Sequence, residues 1–277
     1  MKAVRYTAGG APRLGRLEED HVVDAGPAGF RGFEGTTEAW EAIASADGNR
    51  HGLDDVRLLA PCEPQKIIAV GLNYRSHVEE TSLDQPGEPF GFAIWPNALI
   101  GHEQEIVIPC EETRPDWEGE VAVLIGRRTY RADRAAARAA IGGITAFNDV
   151  SGRRAQLETP MKQFTLGKSF DTFAPAGPCV VHPDAVDLGR IGLRTTVNGE
   201  TVQEADTSQL IFSFEDLIEY FSRGVTLLPA DLLATGTPGG VGDERKPPWY
   251  LEEGDVMEVT VEGVGTLRNP VRKERRR

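Results

Sequence analysis

Asp116-Trp117-Glu118-Gly119-Glu120-Val121-Ala122-Val123-Leu124-Ile125-Gly126 couples two carboxylates to an uninterrupted apolar run that ends at a glycine. A short apolar run of this length, bounded by turn residues, reads as a strand. Side chains alternate along a strand, so Glu118 and Glu120, two apart, emerge on one face. By spacing alone the pair reads first as the solvent face of an edge strand. The other reading is a cation site, because neighbouring carboxylates repel until a positive charge relieves them.

Strand-type runs recur at 67–70, 106–108, 143–147, 179–181, 193–198, 231–234 and 256–261, mostly bounded by Gly, Pro or Asp. The 31 glycines and 18 prolines in 277 residues supply that punctuation, yet stay below the roughly 25–30% of Gly plus Pro that marks low complexity. A strand-dominated, mixed α+β domain is therefore expected. Two helices interrupt it. One spans 133–141 and is expected to stop at Gly142-Gly143. The other spans 214–223, with Ser213-x-x-Asp216 as a capping box and Gly224 as its stop. Ahead of Pro64 lie strand candidates at 2–6 and 21–23 and a helix at 37–44 that Thr36 or Thr37 caps. Residues 1–64 are thus read as a small N-terminal subdomain, 65–271 as the main strand-rich domain, and 272–277 as a frayed basic tail.

Thirty Lys and Arg face 43 Asp and Glu, a net charge of −13, which argues against nucleic-acid partners. Cys62, Cys110 and Cys179 form no C-x-x-C pair, so neither a disulfide scaffold nor a zinc ribbon is indicated. The N-terminus lacks an apolar signal core, and no run approaches the roughly 18 apolar residues of a membrane span. A soluble cytoplasmic protein without a membrane partner is expected.

Several motif fragments fail on inspection. Gly167-Lys168-Ser169 resembles the end of a phosphate loop, but Lys162 stands where its first glycine is required. His102-Glu103 begins like a zinc-protease helix, but Ile106 replaces the second histidine. The stretch from Gly236 to Gly242 departs from G-x-G-x-x-G and contains Pro238. Neither G-x-S-x-G nor S-x-x-K occurs. What remains is the carboxylate pair, together with Asp149 at the end of another apolar strand, 144–149. An oxygen-only set without His or Cys favours a hard cation, Mg²⁺ or Mn²⁺.

Seven strings then fall in a common order: Val70-Gly71-Leu72-Asn73-Tyr74-Arg75-Ser76-His77; 116–126; Asn148-Asp149-Val150-Ser151-Gly152-Arg153-Arg154-Ala155-Gln156; Leu166-Gly167-Lys168-Ser169-Phe170-Asp171-Thr172; 206–213; 226–231; and 234–242. Together they resemble the fumarylacetoacetate hydrolase family over about residues 66–270, in its acylpyruvase or 2-hydroxyhepta-2,4-diene-1,7-dioate isomerase-like branch.

The resemblance implies a β-sandwich or β-roll with flanking helices, assembled as a homodimer. It implies that Glu118, Glu120 and Asp149 ligate the divalent metal. Gly71, Arg153, Gln156 and Thr237 would bind a small 2-oxo acid substrate, Thr237 through its hydroxyl and backbone N–H. Arg153 alternatively serves as a counter-ion for the carboxylates. Lys168 matches the family's active-site lysine, a positive charge for a developing oxyanion.

His77 and Glu80, at i and i+3 of a helical lid, would form the dyad that activates water. His21, His51, His102 and His182 receive no role. The implied reaction is metal-dependent cleavage of a carbon–carbon bond in an acylpyruvate-like diketo acid, of the kind met in aromatic-compound catabolism. Decarboxylation of an oxaloacetate-like acid and isomerisation of a hydroxymuconate-like dienol are the alternatives, and a non-catalytic scaffold is the rival from another class. One departure stands out: Trp95 replaces the lysine of the family's F-x-K-P string, so the far end of the substrate is expected to be bulkier or less anionic.

Overall fold

The computed structural model describes residues 1–81 and 83–275; Arg276 and Arg277 of the basic tail lie outside the described residues. A 12-stranded mixed sheet forms the frame. Its main path runs from Arg50–Gly52 through His21–Pro27, Arg13–Leu17 and Lys2–Thr7 to Ala174–Val181. It continues through Ile141–Asn148, Gly119–Ile125, Leu232–Ala234 and Ile67–Gly71 to Phe90–Ile94.

Gly119–Ile125 is an interior strand, antiparallel to both Ile141–Asn148 and Leu232–Ala234. All seven of its residues are buried, which is why its apolar run shows no alternation. The edge-strand reading of the carboxylate pair is therefore corrected: Glu118 and Glu120 are both buried, at the head of a central strand.

A second, five-stranded sheet orders Glu200–Asp206, Gly192–Val197, Val256–Val261, Gly265–Lys273 and Ile106–Ile108. Apolar side chains of the two sheets meet in one core, Val121, Val123 and Ile144 with Leu193, Val259 and Leu267. The molecule is thus the β-sandwich type expected.

The helix Phe214–Ser222 carries the expected capping box, with Ser213 Oγ accepting from Asp216 N and the Asp216 carboxylate accepting from Ser213 N. Thr36 caps Thr37–Ala44. The other helix, Arg134–Ala140, is capped by Asp133 but does not stop at the glycine pair. The chain passes straight into Ile141–Asn148, and Gly142 and Gly143 lie within that strand. A Cβ on Gly142 would sit 2.4 Å from the Gly126 Cα, so the glycine serves close backbone approach rather than helix termination.

The leading segment shares the frame of the rest. Lys2 and Ala3 pair with Val181 and Val180, and Phe33, Trp40 and Ile43 join a core with Leu124 and Phe147. At the other end, the tail expected to fray begins inside a strand. Arg272 and Lys273 pair with Val107 and Ile108, and Arg272 Nε donates to Glu105 Oε2 at 2.9 Å. Among the described residues, no helix is long and apolar enough to cross a membrane.

Candidate active site

Strand register gathers the carboxylates. Gly119 pairs with Asn148, so Glu118 and Glu120 flank the point where the neighbouring strand delivers Asp149. The backbone closes the corner: Asp149 N donates to Glu118 O at 2.9 Å, and Glu118 N donates to Asn148 Oδ1 at 3.1 Å. One oxygen from each of Glu118, Glu120 and Asp149 lies within 4.8 Å of the others, and all three residues are buried. The residue between the glutamates has to be glycine, since a Cβ there would lie 1.9 Å from Thr195 Oγ1.

Two cations face this cluster. Lys168 Nζ lies 2.7 Å from Glu118 Oε2 and 3.0 Å from Asp149 Oδ2, fully buried. The Arg153 guanidinium lies 2.7 Å from Glu118 Oε1 and 2.8 Å from Asp116 Oδ2. Against burial, which alone would raise it, Lys168 and Arg153 hold the Glu118 carboxyl down at about 2. Asp149 goes the other way, pushed up to about 7 by burial and by the neighbouring Glu118 charge. Burial, followed by Asp149 and Glu118, pushes Glu120 well above the carboxylate range.

The network thus holds four buried carboxylates, Asp116 included, and two buried cations, a deficit of two positive charges. Glu120 Oε1 and Asp149 Oδ1 are buried with no hydrogen-bond partner among the described residues. Orphaned carboxylate oxygens at that depth are costly, and a divalent oxygen-seeking cation matches both their number and their chemistry.

A cavity of about 300 Å³ opens from Glu118, Lys168, Arg153, Gln156 and Thr237, with His77 and Gly71 also on its wall. The structure therefore brings most of the sequence-derived site residues to one cavity. His77 and Glu80 share the helix Arg75–Thr81, with Nδ1 3.4 Å from Glu80 Oε2.

Glu80 is itself fixed from below, its two oxygens accepting from Gly240 N at 2.9 and 3.0 Å. The same glycine-rich loop donates Gly236 N to Glu120 Oε2 and Gly242 N to Asp116 Oδ1. Three amides of this loop are thus engaged by the protein's own carboxylates.

Thr237 lines the cavity, as expected, with its hydroxyl in use, whereas Trp95 differs from the sequence reading. Thr237 Oγ1 donates to Gly119 O at 2.9 Å and accepts from Gln203 Nε2 at 2.8 Å, so its one hydroxyl proton is already engaged. Trp95 is half exposed and does not line the cavity; its backbone N donates to Ser169 Oγ. The aromatic wall comes from Phe90, Phe92 and Phe164 instead.

Sequence reasoning also missed Asp116 and Gln203. Asp116 accepts from Trp117 N, Gly242 N, Asp243 N and Arg153 Nε. Gln203 ties Gly119 N to Thr237 and Pro238 O. The one visible signal for Asp116 was its place at the head of the quoted string; Gln203 carried none.

The family model described as fumarylacetoacetate (FAA) hydrolase C-terminal matches residues 66–272. The chain belongs to the fumarylacetoacetate hydrolase family. A second model, Rv2993c-like N-terminal, matches residues 1–61. Among curated relatives, the mitochondrial oxaloacetate tautomerase fahd2 of Xenopus laevis is 37% identical over 287 residues, covering 98% of this chain and 90% of its own. Among solved structures, the 5-carboxymethyl-2-hydroxymuconate delta-isomerase of Mycobacterium smegmatis is 35% identical with a TM-score of 0.83, covering 100% of both chains. The fumarylacetoacetate hydrolase of Exiguobacterium antarcticum is 34% identical with a TM-score of 0.86, covering 99% of this chain and 100% of its own.

Proposed function

We propose that the protein is a divalent-metal-dependent enzyme that moves a proton at the carbon beside the keto group of a 2-oxo acid, a keto–enol tautomerase or isomerase. The observation that carries this is the shared cavity, where the carboxylate-partnered His77 and the Glu118 end of the buried triad line one space with Lys168. Glu118, Glu120 and Asp149 would hold Mg²⁺ or Mn²⁺. Such a cation, when bound, draws electron density from a chelated 2-oxo acid and so acidifies the neighbouring C–H.

The protein's own groups do the rest. Where Glu80 accepts Nδ1–H, the other imidazole nitrogen is the one that can take the proton and return it. Lys168 offsets negative charge developing on the keto oxygen. Arg153 and Gln156, locked together at 3.1 Å, orient the substrate carboxylate. The names of the relatives support this reading, since a tautomerase and an isomerase are both among them.

Carbon–carbon hydrolysis is the second reading, favoured specifically by the His77–Glu80 pair, which could instead deprotonate a water. The test is turnover of metal-stripped and Mg²⁺-resupplied protein on enolisable 2-oxo acids and acylpyruvates. Metal-dependent loss of enol absorbance with the carbon skeleton intact supports tautomerisation. Release of pyruvate with a second acid would shift the assignment to hydrolysis, and a metal-loaded protein inert on the whole panel would refute both.

A further inference from the structure

We infer that the molecule this cavity takes carries an apolar, ring-sized tail, and not a second carboxylate, beyond its 2-oxo acid; the inference rests on the 2-oxo acid reading above. The cavity grades from charged and buried to apolar and open. Lys168, Glu118 and Arg153 are buried at its floor, whereas Phe90 is 43% and Leu83 56% exposed at its rim. Phe92 bridges the two, its ring 5.7 Å from Lys168 Nζ.

Phe90, Phe92 and Phe164 form one continuous wall, with ring centroids 6.1, 5.3 and 5.5 Å apart pairwise. Such rings favour an apolar or aromatic partner in edge or offset contact.

Charge points the same way. The cationic side chains on the wall, Lys168 and Arg153, are both paired with buried carboxylates. Among the described residues, the other side chains on the wall with a formal charge are Glu118, Asp243 and Glu244, all acidic. Asp243 is held by Arg114 and Tyr250, which neutralises it without offering a cation to the cavity. Lys162 donates to Leu157 O and is not among the residues that line the space. A distal carboxylate would be desolvated against rings and an acidic rim with no partner, a costly transfer. A phenyl or branched alkyl tail would gain from the same burial. This sets the chain apart from the dicarboxylates named for the 5-carboxymethyl-2-hydroxymuconate delta-isomerase and the oxaloacetate tautomerase. The determinant is the phenylalanine wall rather than Trp95.

The experiment measures calorimetric binding to the Mg²⁺-loaded full chain of three chelating 2-oxo acid mimics: oxalate, N-benzyloxamate and N-carboxymethyloxamate. Binding of N-benzyloxamate about tenfold or more tighter than N-carboxymethyloxamate is expected, with the order reversed in Phe90→Arg. Equal or inverted affinities in the native chain, with oxalate still bound, would overturn the tail assignment and leave the 2-oxo acid reading standing. No binding of any of the three would overturn both. An unchanged order in Phe90→Arg would remove the wall as its cause.

Discussion

Lys168 Nζ lies 2.7 Å from Glu118 Oε2, both side chains buried, and the same ammonium reaches Asp149 Oδ2 at 3.0 Å. The lysine therefore occupies one side of the carboxylate triad and leaves Glu120 to face it without a cation of its own. Lys168→Met removes positive charge from the site while keeping most of the side-chain volume. Cation affinity should rise, because Glu118 and Asp149 lose a competitor. Turnover should fall by about 10²–10³. Metal titration and kcat on the same preparation check the two opposite movements. A variant with unchanged kcat would take Lys168 out of the chemistry.

Proton linkage gives a second expectation. Asp149 is pushed up to about 7 and Glu120 well above its ordinary range, in both cases first by burial. Near neutral pH the metal-free protein thus holds protons on groups that a cation must displace. Apparent metal affinity should weaken as pH falls below about 7, with protons released on binding.

The sign for stability follows from the same shifts. A carboxylate raised on folding binds more protons in the folded than in the unfolded chain, so metal-free stability falls as pH rises from about 4. For Asp149 that loss is complete above about 7. The gap in melting temperature between metal-loaded and metal-free protein should therefore widen from pH 5 to pH 7. A constant gap, with no proton release by calorimetry in two buffers, would contradict this.

The parts of the site legible in sequence are those whose partners lie close along the chain or repeat a family string. Glu118 with Glu120, Arg153 with Gln156, and His77 with Glu80 each sit two or three residues apart, and a strand or helix turn then fixes their geometry. Asp116 and Gln203 could not be read that way. Each accepts from a backbone amide remote in sequence, Asp116 from Gly242 N and Gln203 from Gly119 N, and such partners exist only once the chain has folded.

The same holds for the aromatic wall, built from a strand and a helix 74 residues apart, Phe90 against Phe164. Among the elements, the interior strands announced themselves through unbroken apolar runs. Glu200–Asp206, ETVQEAD, did not, because an edge strand half open to solvent shows mostly polar side chains.

Asp116→Asn tests a positioning role. The carboxylate holds Arg153 Nε at 2.8 Å and three backbone amides besides. Its loss leaves Arg153 with one carboxylate fewer in a buried site, a change that costs about 3–5 kcal/mol in comparable pairs. A raised KM for the 2-oxo acid with a smaller change in kcat is expected, together with a lowered urea midpoint. A stability loss with KM untouched would confine Asp116 to the fold.

Gln203→Leu is close in size but unpairs Gly119 N and withdraws a donor from Thr237 and Pro238 O. Buried groups left without partners cost about 1–3 kcal/mol each. Denaturant unfolding should show a loss in that range. Metal affinity should fall with it, because Gly119 sits between two triad members. Gln203→Glu keeps the acceptor for Gly119 N but buries a further carboxylate against Pro238 O, so at neutral pH its loss of stability should match or exceed that of Gln203→Leu.

The dyad separates proton transfer from metal binding. His77 and Glu80 stand on a helix clipped to the glycine-rich loop, with Ser76 Oγ accepting from Gly239 N as well. Replacing the imidazole should therefore leave the triad intact. His77→Asn is expected to keep stoichiometric Mg²⁺ and lower turnover by about 10²–10⁴.

Glu80→Gln still offers Gly240 N an oxygen, so the helix should stay clipped, while the imidazole loses its charged partner; an intermediate rate is expected. The ranking native, Glu80→Gln, His77→Asn, with equal metal content throughout, is what a base oriented by a carboxylate requires. Equal rates for native and His77→Asn on every 2-oxo acid that the native enzyme turns over would assign the proton to another group.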